Sequence, residues 1–117
     1  MTNKRKLLLP ATMARAGWEV LAARSDIEAI AFDQNIAAAE FHRLLADADG
    51  VGLGLTPFGE AELAAGPKVR VAARHGVGYD SVDVAALTRR GVPLMVTGTA
   101  NSPSVAEQAL YFMLALA

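Results

Sequence analysis

Short apolar runs alternate with stretches of helical spacing along the whole chain, and this alternation limits the fold more than any other feature. Residues 6–10 read as a first strand, since Leu7-Leu8-Leu9 is compact and Pro10 stops it. Residues 27–33, 51–55, 69–73 and 93–97 read as the next four. Helical stretches lie between them at 13–24, 36–46, 60–65 and 83–90. Gly17 is a weak point in the first, and Gly66-Pro67 stops the third. Asp83 can cap the fourth, and Gly91 can close it. A last helix is expected from Ser104, because Ser104-Val105-Ala106-Glu107 spells a capping box ahead of an apolar run. Five strands joined by helical crossovers predict an α/β fold with a five-stranded parallel sheet and helices on both faces.

The 117 residues suffice for one domain. Apolar residues make up 53% of them, and 24 are alanine, so the core is expected to combine small residues with a moderate set of Leu, Val and Ile. Eleven basic and twelve acidic residues give a net charge of −1, which supplies no basic field for nucleic acid. There is no cysteine, which excludes a disulfide framework, a thiolate zinc site and a cysteine nucleophile. No apolar stretch approaches the roughly 18–20 residues that span a bilayer. The apolar part of residues 4–10 is too short for a secretory leader, so a cytoplasmic protein is expected.

The end of the chain carries Val105, Ala106, Ala109, Leu110, Phe112, Met113, Leu114 and Leu116 on one helix, with no Gly, Asn or Pro to close it. Apolar residues ring most of that helix, which implies burial on more than one side. The chain is therefore expected to be the front part of a longer protein.

In an open parallel sheet, ligands bind beyond the C-terminal ends of the strands. The loops 74–80 and 98–103 follow the fourth and fifth strands and are expected side by side on that edge. Gly76-Val77-Gly78 leaves successive backbone N–H groups uncovered, able to hold a carboxylate or phosphate oxygen. Arg74 can add a charge-assisted bond. The same residues also suit a plain glycine turn. They are not a dinucleotide fingerprint, because Ser81 stands where G-x-G-x-x-G needs its third glycine. Gly78 is expected to resist a bulky side chain, which would block the ligand or break a conformation only glycine adopts. Asn101 can hold a ligand oxygen or simply cap the backbone. His75 has no evident orienting partner, and His42 reads as solvated surface. Asp47 and Asp49 read as ordinary helix-end and turn residues. No metal-ligand spacing or Ser/His/Asp constellation is evident.

Three motifs in the second half carry a family resemblance: G-V-G-x-D-x-V-D at 76–83, R-G-V-P at 90–93 and N-x-x-S-V-A-E at 101–107. In this order and spacing the chain resembles the D-isomer-specific 2-hydroxyacid dehydrogenases, the family of D-3-phosphoglycerate dehydrogenase. Residues 1–70 match that family only in outline. The resemblance implies a flavodoxin-like three-layer substrate domain at 1–103. Residues 104–117 would then begin the interdomain helix leading to a Rossmann coenzyme domain that this chain lacks. It implies an NAD(P)-dependent oxidoreductase interconverting a 2-oxo acid and a D-2-hydroxy acid by hydride transfer, with a homodimer as the expected assembly. Val77 and Gly78 match the loop whose amides hold the substrate carboxylate. Arg74 falls near a substrate-contacting basic position, and Asn101 matches an asparagine placed beside the substrate. Val105 matches a residue packed against the nicotinamide of NAD or NADP. The family's catalytic Arg, Glu and His and its glycine fingerprint have no counterpart here, so these 117 residues alone are expected to be inactive.

Two other readings compete. One is a truncated, non-catalytic α/β binding or dimerisation module. The other is a phosphoacceptor or flavin domain of the same topology, which would want acidic residues where Leu9-Pro10 and Leu55-Thr56 stand.

Overall fold

The computed structural model describes residues 4–117. Five strands form one sheet: β1 (Arg5–Pro10), β2 (Ile27–Phe32), β3 (Gly50–Leu53), β4 (Ala72–Arg74) and β5 (Leu94–Met95). Their order is β2-β1-β3-β4-β5, and every pairing is parallel. The helices between them are α1 (Arg15–Ala22), α2 (Ala38–Leu45), α3 (Glu60–Ala65) and α4 (Val84–Arg90). A final helix, α5, spans Ser102–Leu116.

The strand order dictates the layers. From β1 the chain steps outward to β2, then crosses back to β3 and continues to β4 and β5 in the opposite direction. Right-handed crossovers then put α1 on one face and α2, α3 and α4 on the other. The main core lies under these three helices. Leu8, Phe32, Val51, Leu53 and Ala72 from the sheet meet Phe41, Leu45, Leu63, Ala86 and Leu87 from the helices. Phe32 and Phe41 pack with ring centroids 4.9 Å apart. This is the expected three-layer α/β fold.

The α1 face is different. Leu9, Gly52, Ala73 and Met95 point to it at one level of β1, β3, β4 and β5, and they floor an open apolar cavity of about 260 Å³. A Cβ on Gly52 would fall 2.5 Å from Leu9 Cδ2, so the β1 leucine lies across the bare β3 backbone. The strand glycines mark a close approach, made here by a neighbouring side chain.

Local signals predicted α4 well. Asp83 Oδ1 accepts the Ala86 N–H at 2.9 Å, and Gly91 closes the helix at φ 66°. Three expectations need correction. The ladder of β4 begins at Ala72, three residues later than the apolar run at 69. Val69 is buried, but its N–H bonds Gly66 O in the turn after α3. The last helix begins at Ser102, not Ser104, with Asn101 at its N-cap and no side-chain cap. Pro103 already has the helical φ of a first turn, so Ser104 lies inside the helix and caps nothing. His42 is no free surface group: its Nε2 meets Glu62 Oε1 at 2.9 Å, tying α2 to α3. Burial pushes the Glu62 carboxyl up, but His42 and the Gly59 N–H outweigh it and hold it below the usual range.

No residue of α5 is buried. The helix projects from the body, and the radius of gyration is 16.4 Å, against about 13 Å for a compact chain of this length. Leu114 and Leu116 are 78% and 88% exposed. Among the described residues, no helix is long and apolar enough to cross a membrane.

Asp49 does more than end a turn. Its Oδ2 accepts the Lys6 N–H at 2.9 Å, its Oδ1 accepts Arg5 Nη1 at 3.0 Å, and its own N–H donates to Lys6 O at 2.8 Å. The Lys6 N–H, helped by Arg5 and opposed by burial, holds this carboxyl below the usual range. A depressed folded pKa means that the stability it contributes is complete above about pH 4 and is lost as pH falls through the folded value. In urea titrations from pH 7 to pH 2, Asp49→Asn should lower stability at neutral pH and flatten the acid limb of the curve.

Candidate functional site

All strands run the same way, so the loops after their C-terminal ends share one edge of the sheet. The loops after β4 and β5 are bonded to each other there. Thr97 N–H donates to Gly76 O at 3.2 Å, and His75 N–H donates to Leu53 O at 3.0 Å, anchoring the glycine loop to β3. The far end of that loop is held as well. Val82 N–H meets Tyr79 O, Phe58 N–H meets Ser81 O, and Asp83 N–H meets Phe58 O, at 2.9–3.0 Å.

These ties leave the middle of the loop open. Gly76 N–H turns back to Arg74 O at 2.9 Å. Among the described residues, neither the Val77 nor the Gly78 N–H donates to another backbone carbonyl outside helices and strands. A groove of about 420 Å³ beside them is lined by His75, Gly76, Val77, Thr97, Ala100 and Asn101. Two adjacent free amides at the end of a parallel sheet suit a carboxylate.

The sequence-predicted residues divide between two places. Val77 and Asn101 line the groove, and Gly78 follows Val77. Arg74 does not line the groove itself; its guanidinium lies against Gly76 at the groove's edge, and its Nη1 donates to His75 O at 3.0 Å. Val105 lies one turn into α5, its N–H on Asn101 O at 3.0 Å and its side chain exposed. Gly78 does not have a glycine-only backbone, and a Cβ there would meet only Asp80 Oδ2 at 3.8 Å. The tight glycine is Gly76, whose Cβ would fall 2.4 Å from Arg74 Nη1.

Sequence reasoning missed Thr97 and Gln34. Thr97 joins the two loops and lines both cavities. Its place just past β5, on the ligand edge, is a signal that points to it. Gln34 has no such signal. Its carbonyl accepts Thr56 Oγ1 at 3.1 Å, and its amide reaches over Gly54 towards His75.

Comparison with known proteins gives a consistent picture. The sequence profile of the D-isomer specific 2-hydroxyacid dehydrogenase catalytic domain matches residues 8–112. The D-3-phosphoglycerate dehydrogenase of Mycobacterium leprae is 53% identical over 53 residues, which cover 45% of this chain and 10% of that protein. The D-3-phosphoglycerate dehydrogenase of Synechocystis is 28% identical over 113 residues, 96% of this chain and 20% of that one. In fold, the chain is similar to NAD+-bound 3-phosphoglycerate dehydrogenase of Entamoeba histolytica, with a TM-score of 0.80 at 23% identity over 94% of this chain and 38% of that one. The chain thus spans a fifth or less of the length of these curated relatives.

Gly76→Ala should push the Arg74 guanidinium off the His75 carbonyl and leave the fold intact. The expected cost is under about 1.5 kcal/mol in urea denaturation, the worth of one ordinary hydrogen bond, with a shifted Arg74 side-chain resonance in NMR spectra.

Proposed function

This chain belongs to the D-isomer specific 2-hydroxyacid dehydrogenase family, and on that premise we propose that it is the substrate-binding part of an NAD(P)-dependent enzyme interconverting a 2-oxo acid and a D-2-hydroxy acid. The observation that carries this reading is the pair of free amides at Val77 and Gly78 beside a groove shared with Asn101. The amides hold the substrate carboxylate, and Asn101 offers its side chain to a second oxygen. Held so, the carbonyl carbon is fixed in direction, and part of the orientational cost of the reaction is met on binding. On this reading the residues ahead of α5 form the substrate domain, and α5, from Ser102, begins the helix between domains. The setting proposed is the cytoplasm.

The coenzyme itself does not fit the glycine loop of this chain. A dinucleotide pyrophosphate rests on a helix N-terminus, and the N-terminus of α4 already holds the Asp83 carboxylate. The nicotinamide supplies the hydride, and its phosphates are held elsewhere. Val105, exposed next to Asn101, offers the ring an apolar contact.

Two uncovered surfaces support a part within a larger assembly. Parallel sheets are normally covered on both faces, whereas here the row Leu9, Gly52, Ala73 and Met95 is open. The apolar sides of α5 are also bare. A returning helix on the sheet and a homodimer contact along α5 would cover them. Sedimentation of the 117-residue chain is therefore expected to show concentration-dependent association. Phe112→Glu with Leu116→Glu should abolish it.

The functional test is steady-state kinetics of the full-length enzyme on 2-oxo acids with NADH and NADPH. Val77→Ala keeps both amides and should change kcat/KM by no more than about threefold. Gly78→Val introduces a branched side chain where the carboxylate approaches. Losing one or two bonds to a charged group, each worth about 1.5–3 kcal/mol, should lower kcat/KM by about one to two decades per bond. Since the Gly78 backbone is unstrained, thermal stability should hardly move. An unchanged kcat/KM would make this loop a turn only.

A further inference from the structure

The loop that carries the two free amides hangs between two sets of anchors. At its near end the His75 N–H meets Leu53 O, and Gly76 O takes the Thr97 N–H, so the sheet itself fixes it. Its far end is held by Phe58. The Phe58 N–H donates to Ser81 O at 3.0 Å, and Phe58 O accepts the Asp83 N–H at 2.9 Å. Phe58 and Val82 form an isolated parallel bridge outside the five strands. The sheet therefore does not set the place of Phe58. Its side chain is buried in the core, but burial is non-directional and leaves the aim of the backbone to hydrogen bonds.

Those bonds converge on Glu62. Resting on the carboxylate-binding reading above, we propose that Glu62 is a positioning residue for the reaction. It sets the Val77 and Gly78 amides through the segment that holds the far end of their loop. Its Oε2 accepts the Gly59 N–H at 2.8 Å, one residue after Phe58. Its Oε1 meets His42 Nε2 at 2.9 Å. One carboxylate thus joins α2, the first turn of α3 and the neighbour of Phe58. An acid that reaches back to the start of its own helix is a common cap. Here the second oxygen goes to another helix, which a cap does not require.

The relay onward is short. A Cβ on Gly59 would fall 3.2 Å from Asp83 Cβ, so the two residues are in close contact. Asp83 ends the glycine loop and caps α4 through the Ala86 N–H. A shift of Gly59 passes to Asp83 by contact and to Ser81 through the Phe58 N–H. The middle of the β3–α3 loop is fixed separately, since the buried Thr56 donates its Oγ1 hydrogen to Gln34 O at 3.1 Å.

The test is steady-state kinetics of the full-length enzyme, with KM measured separately for the acid and for the reduced coenzyme. The probes are glyoxylate, pyruvate and hydroxypyruvate with NADH and NADPH. A displacement of about 1 Å can cost about a hundredfold, so with a fraction of that Glu62→Ala should raise the acid KM about three- to tenfold. Its kcat and coenzyme KM should stay within about twofold, since neither depends on this loop. Glu62→Gln keeps an acceptor for the Gly59 N–H and an amide for His42, and should restore the acid KM. Arg89→Ala breaks the exposed ion pair with Glu60 of the same helix and should move none of the three constants. If Glu62→Ala does not fold, His42→Ala carries the test, with a rise of at least about twofold in the acid KM alone. A lower kcat with both KM values unchanged makes Glu62 a stability residue and overturns the inference. So does an acid KM that Arg89→Ala raises equally. Where Gly78→Val lowers kcat/KM and Glu62→Ala leaves the acid KM unchanged, only this inference falls. Where Gly78→Val has no effect, the carboxylate reading falls and the inference falls with it.

Discussion

A hydrogen-bond ladder in which every strand runs the same way is the constraint on which the rest of this molecule depends. Parallel neighbours cannot be joined by hairpins, so each return of the chain is made by a helix. All the loops that leave strand ends then gather on one edge. The glycine loop after β4 and the polar loop after β5 are adjacent for that reason, far apart as they are in sequence. The groove between them follows from topology before any side chain is considered.

What could be read in the sequence was local or topological. Asp83 and Gly91 announced both ends of α4, because a cap and a left-handed glycine act within a few residues. The parallel sheet followed from the alternation of runs, and the motifs at 76–83 and 101–107 marked the two loops. Partners chosen across the fold could not be read. His42 looks solvated until α3 brings Glu62 to it, twenty residues on. The pattern Ser104–Glu107 has the composition of a cap, but Pro103 had already started the helix. For His42 a neighbour outside the range of short-range chemistry decided the outcome, and for Ser104 the adjacent proline did.

The two sides of the sheet show how an alanine-rich chain makes a core. Under α2, α3 and α4, aromatic and leucine side chains fill the space completely enough to bury Leu8, Leu45 and Leu53 in full. On the other side, β3 contributes only glycine at this level, and the β1 leucine spreads over it. That face is smooth, apolar and shallow, a seat shaped for another element of structure. The same economy at Gly54 lets Gln34 and His75 close over the strand end next to the groove.

The bond from Thr97 N–H to Gly76 O makes one rigid piece of two loops. Surface loops usually tolerate insertions and deletions, since their lengths vary without disturbing what they connect. These two do not have that freedom separately. A residue added between Met95 and Thr97 would carry the Thr97 amide past its acceptor, and one added between Arg74 and Gly76 would move the acceptor away. Either change would unseat the paired amides and Asn101 together, so length variation in this protein belongs in the loops at the opposite edge of the sheet.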